Sequence, residues 1–400
     1  MESTFSLPDV SSRQELFHRL DGYVAQRSEE LAGGDRLKHE LVKSYLLETG
    51  RLGTSPDELR SYLSESRWTV EQIDEGLYQT RDSEGLSAYL ESLDDRHLAI
   101  YTVESSDRSD RSVGRLIARN TLLDRLWFSG IFMHGLWRYI SASHDSAKFV
   151  RMRFEFDELF GALSPEDPVE SEADIARALD RAPDRRASVF AIGDRLSRAR
   201  SRLPRFQEIE EAFDDMTLLR LPAIGGRGGH DLYYTGKVTN RSNSFAEHRQ
   251  QLLFLAGVYR RVTERIEDTC LFGVSLGEQR TTFEGAPVTF LFESPIRPDV
   301  FANFIHVTFD QGRPPFRILG KPIKVGPESY HVYGVDMHLW QEIWLDLTRS
   351  HWTLVLPKGT CGNTVSRLAA NIQRFVDPRV RVSIAGVPMQ QVVDDAIAAA

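Results

Sequence analysis

Thr69-Val-Glu-Gln-Ile-Asp-Glu-Gly-Leu77 decides how the first hundred residues are read. Val70, Ile73 and Leu77 recur at three- and four-residue intervals, the spacing of one helix face, and Thr69 is placed to cap it. Upstream, Ser55-Pro56-Asp57-Glu58 is a helix start: a capping hydroxyl, Pro in the first turn and acids behind it. Residues 12–32 carry Leu16, Leu20 and Val24 on one face and stop at Gly33-Gly34. Residues 35–49 bring Leu37, Leu41 and Tyr45 together and read as a further helix, ended by Gly50. Residues 98–103 have strand composition. This order over residues 35–103 is compatible with a winged-helix-like module whose Thr69 helix would enter a DNA groove. Glu71, Asp74 and Glu75 would face the phosphates there, so a helical packing domain is the competing reading.

Beyond the strand, residues 105–112 are polar and repetitive and read as a linker or exposed loop. Residues 113–143 are rich in Leu, Trp and Phe and read as a buried helix, or two broken near Gly130, with His134 a core histidine. Val150, Met152, Phe154 and Phe156 alternate with Arg151, Arg153 and Glu155, the period of a half-buried strand. Residues 165–173 read as a second loop, and helical segments follow to about residue 215.

From residue 216 the pattern changes to short strands separated by Gly and Pro clusters: 217–221, 231–238, 270–275, 288–292, 304–309, 316–319, 330–335, 343–347 and 352–356. Helices are expected over 244–267, opened by the capping box Ser244-x-x-Glu247, over 363–375, and over 388–400. The expected fold is an α+β multidomain chain. A helical N-terminal half with a winged-helix-like module precedes a mixed, largely antiparallel sheet with packed helices, with domains at 1–104, 113–205 and 206–400.

Composition narrows the function. A 400-residue chain with 41% hydrophobic and 27% charged residues is globular in composition. Its net charge is −9, carried by residues 1–200, whereas residues 201–400 are neutral, so a bulk electrostatic grip on a polyanion is not expected. Two cysteines exclude a disulfide framework or a cysteine-rich zinc site. The N-terminus lacks a signal-peptide pattern, and residues 127–137 are too short to span a bilayer, so a cytoplasmic protein without membrane contact is expected.

Two anion sites stand out. In Leu354-Val-Leu-Pro-Lys-Gly-Thr-Cys-Gly-Asn-Thr-Val-Ser-Arg367, a strand, a small-residue loop and a helix start would aim amides at an anion beside Lys358, with Thr360, Asn363 and Thr364 as donors. It is not a Walker A motif. The same stretch spaces Cys361 and Arg367 as C-x5-R, the arrangement of a thiolate nucleophile and a phosphate clamp, without the other features of the tyrosine-phosphatase signature. The second site is the glycine-rich hairpin Ile224-Gly-Gly-Arg-Gly-Gly-His-Asp231 and the helix after it. There Arg227, Lys237, Asn240, Arg241, Ser242, His248 and Arg249 gather donors and positive charge near a helix N-terminus. A structural reading, glycines for turns and polar residues for caps, competes at both sites.

Asp336, His338, His331, His306, Asp310 and Asp346 lack metal-ligand spacing, and no metal or cofactor is expected. Gly273-Val-Ser-Leu-Gly277 matches a nucleophile elbow as a string only, because no helix follows it. The leading expectation is a binding or regulatory protein for a phosphate-bearing ligand, nucleic acid first. A phosphoester hydrolase using Cys361 and a scaffold subunit docking through the acidic helical half are the alternatives.

Overall fold

In the computed structural model, residues 9–32, 41–50, 55–145, 147–162, 187–225, 227–276, 281–310, 312 and 314–400 are described. The first half contributes strands β1 (Lys43–Glu48), β2 (Thr69–Asp74), β3 (Leu77–Arg81), β4 (Ser87–Ser92), β5 (His97–Thr102), β6 (Asp124–Arg125), β7 (Phe149–Asp157) and β8 (Ala187–Arg195). It also contributes helices α1 (Arg13–Ala32), α2 (Pro56–Glu65), α3 (Ser106–Arg119), α4 (Gly130–Ser143), α5 (Leu159–Ala162) and α6 (Leu196–Ile209). The second half adds β9 (Met216–Pro222), β10 (Gly229–Tyr233), β11 (Lys237–Asn240), β12 (Leu271–Leu276), β13 (Thr281–Glu284) and β14 (Val288–Leu291). After these come β15 (Ile318–Gly326), β16 (Ser329–Asp336), β17 (Gln341–Thr348), β18 (His351–Pro357), β19 (Arg381–Ile384) and β20 (Val387–Pro388). Its helices are α7 (Phe245–Cys270), α8 (Pro298–Phe309), α9 (Asn363–Phe375) and α10 (Met389–Ala398).

The strands form two large sheets. An 11-stranded sheet runs β2-β3-β4-β5-β1-β11-β10-β9-β7-β8, with β6 on β1. A 9-stranded sheet runs β15-β16-β17-β18-β14-β19-β20, with β12 and β13 off its path. Pairing is antiparallel throughout except for β12 on β18. Helix α7 touches β11 of the first sheet and β12 and β19 of the second, while α4 and α10 pack on each other and on β9 and β19 respectively. One apolar core therefore reaches both sheets, with Met152 and Leu219 on one side and Phe304 stacked on Trp352 at 4.5 Å on the other. A second cluster, including Leu59, Leu63, Leu116 and Ile117, seals α2 and α3 onto the outer face of β1, β4 and β5. Among the described residues no helix is long and apolar enough to cross a membrane.

This corrects the helical N-terminal half and its winged-helix-like module: residues 43–157 hold seven strands. Thr69–Leu77 is a hairpin, β2 to β3, turning at Gly76 with φ +65°. Its helix-like spacing has a physical origin. The pairing register shifts between Gln72 and Asp74, and that bulge sets half-buried Val70 and Ile73 three residues apart instead of two. The expected helix over 35–49 is β1 where it is described; residues 33–40 lie outside the described residues. Every residue of β1 is buried, as a central strand covered on both faces requires. The polar run 105–112 opens α3, capped by Ser105, with Ser109 and Ser112 buried. The expected strand over 304–309 is the end of α8, where Phe301, Phe304, Ile305, Thr308 and Phe309 share a buried face. The 165–173 loop lies outside the described residues. The acidic half is thus a sheet with packed helices, which removes the helical docking domain assumed for a partner.

Candidate functional site

Both sequence-predicted anion cradles exist as geometry, and both are filled by carboxylates of the chain itself. At the start of α9, the Gly362 amide donates to Glu267 Oε1 at 2.9 Å. Glu267 is held in turn by Arg96, whose Nη2 reaches Oε1 at 2.6 Å and whose Nη1 reaches Oε2 at 3.1 Å. At the start of α7, Asp21 from α1 accepts from the Phe245 amide at 2.7 Å and the Ser244 hydroxyl at 3.3 Å. A helix N-terminus favours negative charge, and here that charge is internal.

Cys361 is buried among these groups. Its thiol donates to Glu48 Oε1 at 3.0 Å and lies 3.3 Å from Arg96 Nη2. Burial, and then the negative charge of Glu48, push the thiol well above its ordinary range despite Arg96. A nucleophile needs the thiolate and access, and this thiol has neither. Arg367 is equally buried. It bonds Asp124, Asp336 Oδ1 at 2.5 Å and the Phe316 carbonyl at 2.8 Å, so the proposed phosphate clamp grips carboxylates instead. Asn363 donates to Asp124 at 3.0 Å and accepts from Tyr259, and the Thr364 hydroxyl donates to Asp336. Thr360 bonds the Pro357 carbonyl at 2.7 Å, and exposed Lys358 pairs with Glu284 at 2.7 Å.

Together these residues form a buried ionic centre. Glu48, Asp124, Glu267 and Asp336 face Arg96, Arg317 and Arg367, and His97 is the fourth cation that would balance them. Burial alone would lower the His97 pKa, but bonding to Asp94 and Glu48 holds it above the ordinary value. Glu48 is correspondingly pulled down to about 2: burial opposes ionisation, and Arg96 and His97 outweigh it. Ions this deep persist only when paired and hydrogen-bonded. This centre ties β1, β5 and β6 to α7, α9 and β16.

The second predicted site lies at the other end of β1. Arg241 Nε bonds Asp231 Oδ2 at 2.5 Å, and Arg220 grips the same carboxylate at 2.6 and 3.1 Å. Lys237 pairs with Asp110 at 2.8 Å and Arg249 with Glu91 at 2.8 Å. The Asn240 side chain accepts from Ser242 and braces the Ser244 carbonyl. His248 is buried between the Ser44 hydroxyl at 2.7 Å and His230 at 3.1 Å. Arg227 is exposed at the hairpin tip. Gly228 and Gly229 are there for close approach: a Cβ would stand 2.1 Å from the Arg241 carbonyl oxygen and 2.4 Å from that of Leu221. Gly226 lies outside the described residues. Lys43 and Glu48 bound the two sites at opposite ends of β1, about 17 Å apart at strand rise.

The structure adds residues that sequence reasoning did not connect. Helices α2 and α3 cover the β1–β5 half of the outer face of the first sheet; on the other half β7 and β8 expose Arg151, Arg153 and Arg195, whereas Lys237, Thr239 and Asp231 on β11 and β10 are buried. Arg151 and Arg153 point outward opposite core-facing Val150, Met152 and Phe154, in register with Gly193 and Ala191, and Phe149 is in register with Arg195. With Arg220, Lys237 and Arg241, this face carries six cations against Glu155, Asp157 and Asp231, and Asp110 of α3 pairs with Lys237. Buried Lys43 feels this field: its ammonium is lowered to about 8, first by burial and then by Lys237. The alternation at residues 149–157 was the available signal; strand order was needed to join it to Arg241.

A cleft of about 650 Å³ opens elsewhere, among α4, α6, α9 and α10, lined by His134, Arg138, Gln207, Asp214, Arg379 and Gln390. His134 is neutral there, lowered to about 4 by burial, with Nε2 3.0 Å from the Phe213 carbonyl oxygen. Among the described residues no cluster of three or more His, Cys, Asp or Glu could hold a metal ion. Of the residues considered for one, His331 pairs with Asp346, Asp336 with Arg367, and His338 Nε2 lies 3.0 Å from the Leu122 carbonyl oxygen.

Comparison with known proteins gives a family and no activity. "Uncharacterized protein MJECL33" of Methanocaldococcus jannaschii is 24% identical over 399 residues, covering 93% of this chain and 94% of its own length. No solved structure matches. The model of the MJECL33-like protein family matches residues 4–188 and 226–389, including Arg151, Arg153, Lys237 and Arg241 as well as both sides of the buried ionic centre. Over that extent, the chain belongs to the MJECL33-like protein family.

Proposed function

We propose that the protein binds nucleic acid on the open half of its first sheet. The observation that carries this reading is the group of exposed Arg151, Arg153 and Arg195 on neighbouring β7 and β8, beside Arg220 and Arg241, in a chain whose net charge is −9. Five strands at about 4.8 Å give a face about 24 Å across, the reach of roughly seven phosphates of one duplex strand. Tyr233 and Phe149 add rings among the cations on this face. Arg151, Arg153 and Arg195 are the phosphate contacts; Arg241 and Lys237 act partly through the acids they hold. The loop at residues 358–364 takes no part, because Glu267 already fills its cradle. Two free, buried cysteines suit the cytoplasmic setting this role implies.

Fluorescence anisotropy with short single- and double-stranded DNA and RNA tests the reading. Neutralising about three phosphates, one each by Arg151, Arg153 and Arg195, predicts that log affinity falls against log salt with a slope of about −2.1 on single strands and about −2.7 on duplex. Arg151→Ala with Arg153→Ala should weaken binding at least tenfold and flatten that slope. Absence of binding to all four probes at low salt overturns the proposal.

A further inference from the structure

The second sheet also has an uncovered face, of a different character. The pairing places Lys321, Tyr333 and Trp344 in one row across β15, β16 and β17. Tyr333 is 62% and Trp344 37% exposed, and neighbouring Ile323 is 46% exposed. A contiguous apolar patch of this kind marks an interaction site. Its polar frame is lopsided: Lys321 lies on the β15 side, whereas Glu342 and Asp346 flank Trp344 on β17. The strand edge is not the contact, because Pro322 and a register shift between Lys324 and Gly326 spoil β15 for further pairing.

We infer that this face is a homodimer interface. A two-fold axis parallel to the strands and lying over β16 carries β15 of one copy onto β17 of the other. Tyr333 then meets the second copy's Tyr333. Lys321 lands on the second copy's Trp344, between Glu342 and Asp346, which gives it a cation–π contact and a carboxylate, and the same pair of contacts is made twice. The charge pattern is therefore complementary to itself. Three strands of eight residues cover about 14 Å by 27 Å, and with the relief of large side chains two copies bury on the order of 1,000 Å². That is the lower bound for a specific interface, so a weak, concentration-dependent dimer is expected.

Sedimentation equilibrium of the full chain from about 1 to 100 μM tests this, with a monomer mass of 45.5 kDa. A concentration-dependent shift to twice that mass is expected. Tyr333→Arg and, separately, Lys321→Glu should each raise the dissociation constant at least tenfold while leaving the circular dichroism unchanged. Combining Lys321→Glu with Glu342→Lys should restore dimerisation, which a variant that merely misfolds would not do. A monomer at every concentration overturns the inference, and so does a dimer indifferent to both single variants. Failure of the charge swap to restore the dimer overturns the proposed register.

Discussion

Asp215 is a carboxyl that folding forces to keep its proton. It follows the 3-10 turn Glu211–Asp214 and sits 2% exposed, with Oδ2 lacking a hydrogen-bond partner. Burial pushes its pKa up to about 8; Arg374 opposes that, and the charges of Glu155 and Asp214 add to it. The folded value lies above the unfolded one, so the group's contribution to stability is complete below the ordinary carboxylate range. It is lost as pH rises toward 8, because the unfolded chain has already released the proton. The slope is about 1.4 kcal/mol per pH unit, so pH 5.5 to 8 costs up to about 3 kcal/mol. In Asp215→Asn the amide stands in for the neutral carboxyl and does not titrate. Urea unfolding of both proteins at the two pH values isolates this one group, since every other titration cancels in the difference. The variant's stability advantage over wild type should grow by up to about 3 kcal/mol between pH 5.5 and pH 8. A variant-minus-wild-type difference that does not move with pH refutes the reasoning.

The buried ionic centre and the two filled cradles give three further expectations. Arg367→Met leaves buried Asp336 without its ion pair and Asp124 with Arg317 alone, and should cost about 3–5 kcal/mol by denaturant titration, with part recovered when Asp336→Asn removes the orphaned charge. Cys361 should resist iodoacetamide at neutral pH in the folded protein and react fully in denaturing urea; rapid alkylation of the native chain would contradict its burial and raised pKa. Asp21→Ala removes the carboxylate held at the α7 N-terminus, where Ser244 remains the cap, and should lower stability by about 1 kcal/mol, read from the urea midpoint, without affecting nucleic-acid binding.

How much of this was legible beforehand depends on whether a signal was local. Capping at Ser55 and Ser244, the helix over 12–32 and the alternation at 150–156 are set by neighbours in the chain, and they are present in the structure. Thr69–Leu77 failed because a bulge gives a strand a three-residue apolar spacing. Residues 35–49 failed because β1 is covered on both faces, and a fully buried strand has no polar positions to betray its period. The strand order that seats β1 between β5 and β11 depends on residues up to 196 positions apart, which no local pattern records.

The candidate sites show the same limit at the level of charge. Small residues before a helix, with a cation nearby, identify a place where an anion is stabilised, and both such places are real. What the spacing leaves open is who supplies the anion. Glu267 lies 95 residues from the amide it caps, and Asp21 lies 224 from Phe245. Once those cradles are filled from within, Lys358 and Arg367 beside the first and Arg249 beside the second are held by carboxylates of the chain. The positive charge left for a ligand must then come from strands that share an uncovered face. Arg151 and Arg241 are 90 residues apart in the chain, and they join one surface only because β7, β9, β10 and β11 lie side by side. In the proposed reading an external polyanion meets Arg151 and Arg153 there, beyond the β1–β5 half that α2 and α3 cover. Extending that cover across β11 to β8 would abolish the proposed binding without touching a single cation.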